Sequence, residues 1–453
     1  MILESEFFKM IKNDTIAAIS TGMQTAAVGI IRISGKGSLK IIKELFHAKI
    51  DTKDFKASRL YLGDFCAEGF IDKCMCAIFK APNSYTGEDM AEIHCHGGLE
   101  VVRGVLQTVL NNGARLADCG EFTRRAFVNG KTDLSSAEGI IEMIDANSKA
   151  ELIAVSKLAQ GELFKKTTEY QSFLTDTISS LEVSLDYPEE DLNGKKIGDY
   201  KKELEELCDK LSSLRKTYTT GKMLRDGIEL VICGVTNAGK SSLINTLLNF
   251  DRSIVTDIKG TTRDTVEEYL EIEGVKFKII DTAGIRETFD KIESLGIERS
   301  LSAINSAGLI LYVVDPETYL DSDNVKLKEK LDDKNFITVL NKTDLNLKKG
   351  IDCDIEISAK ENINIDKLKQ IIIEKVKLNN ITDSFLITSQ RHFNALNRSI
   401  DSLKNCIDNF EEKPLDIIAF ELKNIWDILG EITGTSATEE IIDNIFSKFC
   451  LGK

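Results

Sequence analysis

The spacing of apolar residues divides the chain into stretches with different predicted secondary structure. Over residues 1–131, short β-rich apolar runs such as 28–33 and 77–79 lie among glycines, which predicts an α+β domain. Over residues 135–216 glycine thins out and leucines recur at spacings of three and four, which predicts helices. This row of leucines, called the leucine seam below, is typical of a helical-bundle core. A helix pair that forms a dimer is the alternative. The seam consists of Leu204, Leu207, Leu211 and Leu214.

Residues 227–376 alternate between strand and helix patterns. Apolar runs predict buried strands, and the charged helical stretches between them give the rhythm of a doubly wound parallel sheet. Two further strands are predicted within 266–280, joined by a turn at Glu273-Gly274. Residues 377–453 return to a helical period. The runs predicted as buried strands are Ile228–Cys233, Leu309–Val314 and Phe336–Leu340.

These changes of pattern predict a multidomain α/β and α protein with a split helical-bundle domain. An α/β domain is inserted into the helical region, which is feasible where the ends of an inserted domain lie close together. The predicted segments are 1–131 for the N-terminal α+β domain, 132–226 for the first helical part, 227–376 for the inserted domain and 377–453 for the second helical part.

Composition narrows the class of protein. Of 453 residues, 42% are hydrophobic and 29% are charged, which argues against collagen-like, disordered and disulfide-scaffold proteins. No apolar run approaches the roughly 20 residues of a membrane span. The ten cysteines show no CxxC and no disulfide-framework spacing, which favours reduced thiols in the cytoplasm. The net charge of −15 argues against a surface that broadly coats nucleic acid.

A phosphate-binding motif follows the first predicted strand of the inserted domain. Residues 234–241 read Gly-Val-Thr-Asn-Ala-Gly-Lys-Ser and lie between the strand at 228–233 and the helical run at 242–248, the context that a P-loop requires. Its glycines let backbone amides curl around the β-phosphate, and the following helix N-terminus adds a favourable dipole. We expect Lys240 to reach the β- and γ-phosphates and Ser241 to bind Mg²⁺.

Four further segments follow in the order and spacing of translation-factor-type GTPases. Residues 260–262 resemble the first switch and 281–284 the second. Residues 341–344, Asn-Lys-Thr-Asp, resemble the guanine-reading motif, in which the Asp344 carboxylate accepts from a donor pair that adenine lacks. Residues 358–360 resemble the loop that closes over the base, so the predicted nucleotide is GTP. The predicted GTP contacts are Asn237, Ala238, Gly239, Lys240, Ser241, Ser242, Thr256, Asp257, Ile258, Lys259, Gly260, Thr261, Thr262, Asp281, Thr282, Ala283, Gly284, Asn341, Lys342, Thr343, Asp344, Ser358, Ala359 and Lys360.

The glutamine that Ras-like enzymes carry after the second switch is missing. Ile285 occupies that position and cannot orient the attacking water, so hydrolysis requires another polar group. Glu293, twelve residues beyond Asp281, is a candidate, although spacing alone favours a solvated helix acid. An asparagine at position 237 accompanies K⁺ activation in the GTPases that this segment resembles, where the ion offsets transition-state charge. Residues 256–258 are placed to complete the shell of that ion.

Motifs outside the inserted domain point to one family. Together with the GTPase segments they closely resemble the MnmE (TrmE) family of tRNA uridine modification GTPases. The resemblance covers the whole chain, and the final Cys-Leu-Gly-Lys is highly specific to that family. The motifs are residues 29–35, 82–93, 94–98, 120–127, 129–134 and 449–453.

The resemblance implies a reaction and a set of partners. It implies an N-terminal domain that binds a tetrahydrofolate derivative and drives homodimerisation, and a complex with the FAD protein MnmG (GidA), as a heterotetramer or larger. The two proteins would install a carboxymethylaminomethyl or aminomethyl group at C5 of the wobble uridine, U34, of certain tRNAs. GTP hydrolysis would require Mg²⁺ and be stimulated by K⁺. Formyl- and methylene-tetrahydrofolate both remain open as the one-carbon donor.

The resemblance also assigns residues to roles. Arg32, Glu92, Lys131 and Lys453 match contacts to 5-formyltetrahydrofolate, because cations can hold the glutamate tail and a carboxylate can pair with the amino edge of the pterin. Glu293 matches the catalytic glutamate of the second switch. The matched metal ligands are Asn237, Thr256, Ile258 and Thr261 for K⁺, and Ser241 and Thr262 for Mg²⁺.

Some alternatives remain open at the level of sequence. Cys450 lies where the family places a cysteine near the folate site, either as a nucleophile or acid, or as a plain cysteine. The His94–His96 stretch with Cys74 and Cys76 lacks the ligand spacing of a zinc site. A ribosome-assembly GTPase is the main alternative function, but such proteins append an RNA-binding domain where this chain, past Val376, is helical. A folate transferase with a vestigial G domain conflicts with the complete set of guanine and phosphate segments.

Overall fold

The protein is described from a computed structural model, and its chain folds into two compact units, each containing one β-sheet. The described residues are 14–186, 197–235, 237–251, 268–281, 304–305, 307–345, 351–376, 385–450 and 452. The first unit consists of Met1–Ile141, Leu158–Glu205 and Arg398–Lys453. The second unit consists of Glu142–Lys157 and Glu206–Asn397.

Helices account for much of the described chain outside the sheets. None of them combines the length and the apolar character that crossing a bilayer would require. In chain order they are α1 Ser38–Leu45, α2 Leu99–Asn111, α3 Glu121–Val128, α4 Leu134–Asp145, α5 Lys149–Ala159, α6 Glu162–Asp186, α7 Ile197–Lys216, α8 Tyr218–Asp226, α9 Lys240–Asp251, α10 Ser322–Glu329, α11 Ile365–Lys375, α12 Gln390–Asp408, α13 Leu415–Thr433 and α14 Glu439–Ser447.

The first unit is built on a seven-stranded sheet. Its strands are β1 Ile16–Ile19, β2 Val28–Ser34, β3 Phe46–Ala48, β4 Leu60–Ala67, β5 Phe70–Phe79, β6 Met90–His96 and β7 Arg115–Leu116. The strand order is β3-β4-β5-β6-β2-β1-β7, and all neighbours are antiparallel except β1 and β7. Ile31 and Ile33 of β2 and Ile93 of β6 are fully buried. Because side chains alternate along a strand, Arg32 and Glu92 lie on the opposite face of the sheet.

The predicted helical regions are confirmed in both parts of the chain. In the first unit α6 packs along α13, where Leu174 and Leu422 are buried and the Gln171 amide donates to the carbonyl of Trp426 at 3.0 Å. The leucine seam lies in α7, and all four of its side chains are buried within this single chain, as a bundle core requires. All ten cysteines lie within the described ranges, and none of them forms a disulfide.

A six-stranded sheet forms the centre of the second unit. Its strands are β8 Ile228–Cys233, β9 Glu268–Ile272, β10 Val275–Asp281, β11 Leu309–Val314, β12 Phe336–Leu340 and β13 Ile355–Glu356. The order is β13-β12-β11-β8-β10-β9, with every pair parallel except β9 and β10. The three predicted buried strands coincide with β8, β11 and β12, and the predicted hairpin with β9 and β10. The doubly wound sheet and the multidomain α/β class are confirmed.

The buried side chain of Arg125 connects three carboxylates of the first unit. Arg125 is 2% exposed and donates to Asp14 at 2.7 Å, to Glu121 at 2.9 Å and to Glu88 at 3.1 Å. Arg115 donates to the same Glu121 carboxylate at 2.5 Å. Burial by itself would raise the pKa of Glu121, but hydrogen bonds led by the one from Arg115 outweigh it and lower that pKa. Glu121 is therefore charged in the folded protein and stabilises it.

This network makes stability depend on pH in a defined direction. Replacement of Glu121 by glutamine is expected to lower the free energy of unfolding at neutral pH by about 2–3 kcal/mol, because Arg115 and Arg125 lose a charged acceptor. Since the pKa of Glu121 is lowered on folding, the stability that it provides is present above about pH 4.5 and is lost as the pH falls through the folded-state pKa. Denaturant unfolding of both proteins from pH 7 to pH 3 measures this.

The matched control is Asp118→Asn, which changes an exposed carboxylate 3.9 Å from Arg115 and is expected to shift stability little. Curves for the wild type and Glu121→Gln that run parallel over the whole pH range would contradict the role of Glu121.

Candidate functional site

The described parts of the predicted nucleotide segments meet at one edge of the sheet in the second unit. β8 lies between β10 and β11, and the chain continues to opposite sides of β8, which makes its carboxyl end a topological switch point. The P-loop follows β8, and Asp281 ends β10. Residues 341–344 follow β12, and residues 358–360 follow β13. Parallel strands therefore bring together four segments that are far apart in sequence.

The P-loop has the backbone conformation that its glycines permit. Gly234 and Gly239 have φ values of 149° and 91°, and Asn237 has a φ of 67°. A Cβ atom on Gly239 would lie 2.1 Å from Nδ2 of Asn341, so a side chain there would collide with the guanine-reading segment. Asn237 is exposed, and α9 begins at Lys240 directly after the loop. Thr236 lies outside the described residues.

Lys240 folds back over the P-loop. Its ammonium donates to the carbonyl oxygens of Gly234 at 3.0 Å and Val235 at 2.7 Å, and its side chain is buried. Both acceptors are neutral, so a charged phosphate oxygen would be a stronger acceptor for the same group. Ser241 and Ser242 are exposed on the first turn of α9. This end of the sheet can thus present a cation, hydroxyl groups and a helix N-terminus to a phosphate.

Asn341 joins the P-loop to residues 358–360, the predicted loop over the base, which is called the base loop below. Its Nδ2 donates to the carbonyl of Ala238 at 3.0 Å, and its Oδ1 accepts from the amide of Ala359 at 3.0 Å. The side chain is 2% exposed. The motif match assigned Asn341 to the nucleotide, whereas the geometry shows that it also connects the two loops.

The carboxylate of Asp344 is oriented by the base loop. Ser358, which is fully buried, donates through Oγ to Asp344 Oδ1 at 2.7 Å. Thr246 of α9 donates to the carbonyl of Ala359 at 2.9 Å and holds the same loop from the other side. Among the described residues the hydrogen bond to Asp344 is made at Oδ1, and a carboxylate with Oδ2 available can accept from paired N–H groups.

Asp315 lies beside the nucleotide segments, and no motif predicted it. It is 2% exposed, follows β11 at the same edge, and lies with Oδ2 3.7 Å from the ammonium of Lys342. Its carboxylate also accepts from the amides of Glu317 at 2.9 Å and Thr318 at 3.1 Å. Its position directly after a buried parallel strand was the available signal.

Several predicted residues lie outside the described parts of the chain, and their assignments stay predictions. Of Asp281 the structure describes only the backbone, at the end of β10. The predicted residues outside the described ranges are Thr256, Asp257, Ile258, Lys259, Gly260, Thr261, Thr262, Thr282, Ala283, Gly284, Glu293 and Lys453.

A second candidate site lies on the sheet of the first unit, around Arg32 and Glu92. The two residues face each other across β2 and β6, and Arg32 Nε donates to Glu92 Oε1 at 2.9 Å. The side chains are 19% and 17% exposed, so the pair is accessible to a ligand. The rings of Tyr85 and Phe122 lie 5.3 Å and 5.8 Å from the guanidinium carbon, close enough for cation–π attraction.

The C-terminal tail reaches this pair. The carbonyl of Gly452 accepts from Ser20 Oγ at 3.1 Å and from Arg32 Nη1 at 3.4 Å. Gly452 has a φ of 91°, and a Cβ there would lie 2.1 Å from the carbonyl oxygen of Ile19, so glycine is required. Cys450 is exposed two residues before this contact.

Lys131 lies against the turn that carries Tyr85, and within the described ranges the hydrogen-bond partners of Arg32 are Glu92 and Gly452. A Cβ on Gly87 would lie 3.3 Å from Lys131 Cε, so the lysine stem covers that glycine. Lys131 instead lines a cavity of about 710 Å³ together with Phe127, Phe164 and other residues of the same unit. Of the predicted folate residues within the described ranges, Arg32 and Glu92 form the pair and Lys131 lines this cavity.

The two histidines of β6 have different carboxylate neighbours. His96 Nδ1 lies 2.5 Å from Asp72 Oδ1, whereas His94 Nε2 lies 3.6 Å from Glu92 Oε2. Burial raises the pKa of the Cys95 thiol to about 11, which keeps it protonated. Across the described ranges, no group of three or more histidine, cysteine, aspartate or glutamate residues is arranged to hold a metal ion.

Comparison with known proteins identifies the family. A model of the MnmE helical domain matches residues 134–450, and a model of the GTP-binding protein TrmE N-terminus matches residues 15–131. The tRNA modification GTPase MnmE of Clostridioides difficile (strain 630) is 40% identical over 459 residues, which cover 98% of this chain and 100% of that protein. The chain belongs to the MnmE family.

A further relative matches nearly the whole chain. The tRNA modification GTPase MnmE of Lactobacillus gasseri is 41% identical over 456 residues, covering 97% of this chain and 98% of that one. Among solved structures, the FeoB G-domain from Methanococcus jannaschii is 25% identical and covers 33% of this chain and 98% of its own, with a TM-score of 0.25. The family resemblance proposed from the sequence motifs is confirmed.

The geometry around Asp344 predicts a change of nucleotide preference. Asp344→Asn is expected to weaken GTP binding about 100-fold, because the amide cannot accept both guanine donors. It should also improve the relative affinity for XTP, whose 2-oxo group accepts from an amide N–H. Titration of the variant with both nucleotides measures this, and Asp352→Asn, the same change at an exposed position, is the control. An unchanged preference for GTP would contradict the role of Asp344.

Proposed function

We propose that this protein couples GTP hydrolysis to modification of the wobble uridine of tRNA. As a member of the MnmE family it is a GTP hydrolase. The proposal depends mainly on one observation. At the edge of the six-stranded sheet, Asn341 hydrogen-bonds to both the P-loop and the base loop. The relatives that match nearly the whole chain are named for tRNA modification, which supports the same substrate here.

In the proposed reaction each nucleotide segment has one task. Backbone amides of the P-loop and Lys240 hold the β- and γ-phosphates, and Asp344 selects guanine. The exposed oxygen donors of Ser241 and Asn237 suit hard cations, so we assign them to Mg²⁺ and K⁺, with Thr262 completing the Mg²⁺ site. Bound there, the two cations supply charge that offsets the negative charge of the transition state. The remaining proposed K⁺ ligands are Thr256, Ile258 and Thr261.

Glu293 is the proposed catalytic residue for hydrolysis. It would orient the attacking water in place of the glutamine that Ile285 replaces. This assignment is supported by the match of Glu293 to the catalytic glutamate of the family's second switch. It is also supported by the chemical need for a polar group that orients the water. Glu293→Ala should therefore lower turnover while nucleotide affinity is retained.

The Arg32–Glu92 pair is the proposed binding site for a tetrahydrofolate one-carbon donor. Glu92 has an oxygen that Arg32 does not use and can accept from the amino edge of a pterin. Lys131, which forms no ion pair within the described residues, and Lys453 would hold the glutamate carboxylates. Cys450, exposed near the Gly452 contact, would act as nucleophile or acid on the one-carbon group.

The proposed assembly follows the same resemblance. The N-terminal domain would form a homodimer, and the dimer would work with the FAD protein MnmG in a heterotetramer or larger complex. We propose the cytoplasm as its compartment, which suits a tRNA substrate and ten described cysteines that form no disulfide. The proposed domains remain 1–131, 132–226, 227–376 and 377–453.

Analysis of tRNA nucleosides tests the function directly. Cells that lack this protein are expected to lose the carboxymethylaminomethyl or aminomethyl group at C5 of U34, and the wild-type gene should restore it. A gene that encodes Glu293→Ala should not restore it, because hydrolysis would no longer drive the reaction. Mass spectrometry of digested tRNA measures the modified nucleoside. Intact modification in the deleted strain would overturn the function without affecting the GTPase assignment.

The cation proposal predicts a dependence on the monovalent salt. GTP turnover by the full-length protein is expected to be at least about tenfold faster in K⁺ than in Na⁺, because only the larger ion fits the proposed oxygen shell. Asn237→Ala should remove most of this difference and leave the rate in Na⁺ nearly unchanged. Phosphate release in matched chloride salts measures both, and equal wild-type rates would count against the mechanism.

The net charge predicts how tRNA is held. With a charge of −15, the protein alone is expected to bind tRNA weakly, and log Kd should change little with log salt because few phosphates are neutralised. Addition of MnmG should strengthen binding and steepen that slope. Filter binding between 50 and 200 mM KCl, about a fourfold range, measures the slope. Tight binding without the partner at physiological salt would contradict this prediction.

A further inference from the structure

His94 lies beside Glu92 in the second candidate site, and none of the proposed roles uses it. The two residues are separated by one position on β6, so their side chains lie on the same face of the sheet. The neighbouring strands place Met75 and Ile30 opposite His94. His94 is therefore a polar side chain with apolar residues on both sides and a carboxylate next to it along the strand.

The two oxygens of Glu92 have different surroundings. Oε1 accepts from Arg32 Nε and lies 2.9 Å from Arg32 Nη2 as well. Oε2 faces His94 Nε2 at 3.6 Å, which is too long for a hydrogen bond. Within the described part of the chain, His94 Nε2 is buried and has no hydrogen-bond partner. Buried polar atoms are nearly always paired, so this atom requires an explanation.

We propose that His94 is a positioning residue for Glu92, whose Nε2–H donates to Oε2 when the ligand is bound. A shift of about 0.7 Å brings the two atoms to hydrogen-bond distance. The carboxylate is then held from both sides, by Arg32 at one oxygen and by His94 at the other. Its orientation is fixed, and its remaining lone pairs accept the ring N–H and amino hydrogens of a reduced pterin.

The action of His94 is indirect. Its Nε2 is buried, so it affects a ligand only through Glu92, which is partly exposed. The inference rests on the proposed one-carbon function, because it takes the ligand of Glu92 to be the heterocyclic head of a folate. The glutamate tail of such a ligand is assigned to Lys131 and Lys453 rather than to Glu92. Loss of the imidazole should therefore affect the heterocycle and spare the tail.

Binding of 5-formyltetrahydrofolate to the full-length protein tests the inference. His94→Leu is expected to weaken binding about tenfold, because Glu92 loses one partner in a partly buried site. His94→Gln should stay within about threefold of the wild type, since its amide N–H has a similar reach. His47→Leu, the same change at an exposed histidine of β3, is the control and should have no effect. Thermal unfolding of each variant shows that the fold is retained.

Two ligand fragments separate positioning from a general structural role. His94→Leu should weaken binding of 6-methyltetrahydropterin and leave binding of p-aminobenzoylglutamate within about twofold. In a Glu92→Gln background the same change should have no further effect on the pterin, because the residue through which His94 acts is already altered. Equal losses for both fragments, or an additive loss in the double variant, would overturn the inference.

The outcomes also distinguish this inference from the proposed function. If the wild type binds neither the folate nor the fragments, the one-carbon role of the site fails, and the role of His94 fails with it. If the wild type binds them and His94→Leu binds equally well, only the role of His94 is overturned.

Discussion

The side chain of Asn341 lies between the P-loop and the base loop and hydrogen-bonds to the backbone of each. In a buried position these bonds are stronger than in water, and loss of either would leave a polar group unpaired. Gly239 permits the close approach, because any Cβ would meet the amide nitrogen of Asn341. Phosphate binding and guanine recognition therefore share one fixed geometry, and a displacement of either loop disturbs both.

Two arginines of the first unit illustrate how similar contacts serve different purposes. Arg125 is almost fully buried and has three carboxylates around it, so its hydrogen-bonding capacity is largely consumed by the fold. Arg32 is partly exposed and satisfies only one oxygen of Glu92. A saturated buried network stabilises the domain, whereas an accessible pair with an unused oxygen has the chemistry of a binding site.

Much of the second unit could be predicted from sequence because its strands are continuous apolar runs in a parallel sheet. β8, β11 and β12 begin and end where the hydrophobic pattern begins and ends, since strands buried on both faces leave no polar alternation to obscure their bounds. Parallel order then places the carboxyl ends of these strands at one edge. The convergence of the nucleotide segments follows from this order.

The contacts that no pattern predicted are those that depend on register and packing between distant segments. The pairing of Arg32 with Glu92 requires β2 and β6 to align residue for residue, and a slip of one position would move both side chains to the other face. Asp315 has no motif, and its partnership with Lys342 arises only when two strands lie side by side. The family resemblance placed Glu92 in a site but could not show which of its oxygens was free.

The contact of Gly452 with Ser20 joins residues that are 432 positions apart. The ribosome makes a chain from its N-terminus, so the sheet that carries Arg32 can fold while most of the protein is still being synthesised. Gly452 arrives only after the whole nucleotide-binding unit has emerged. During synthesis the second candidate site is therefore completed last, and a chain cut short before Gly452 would present the Arg32–Glu92 pair without its third partner.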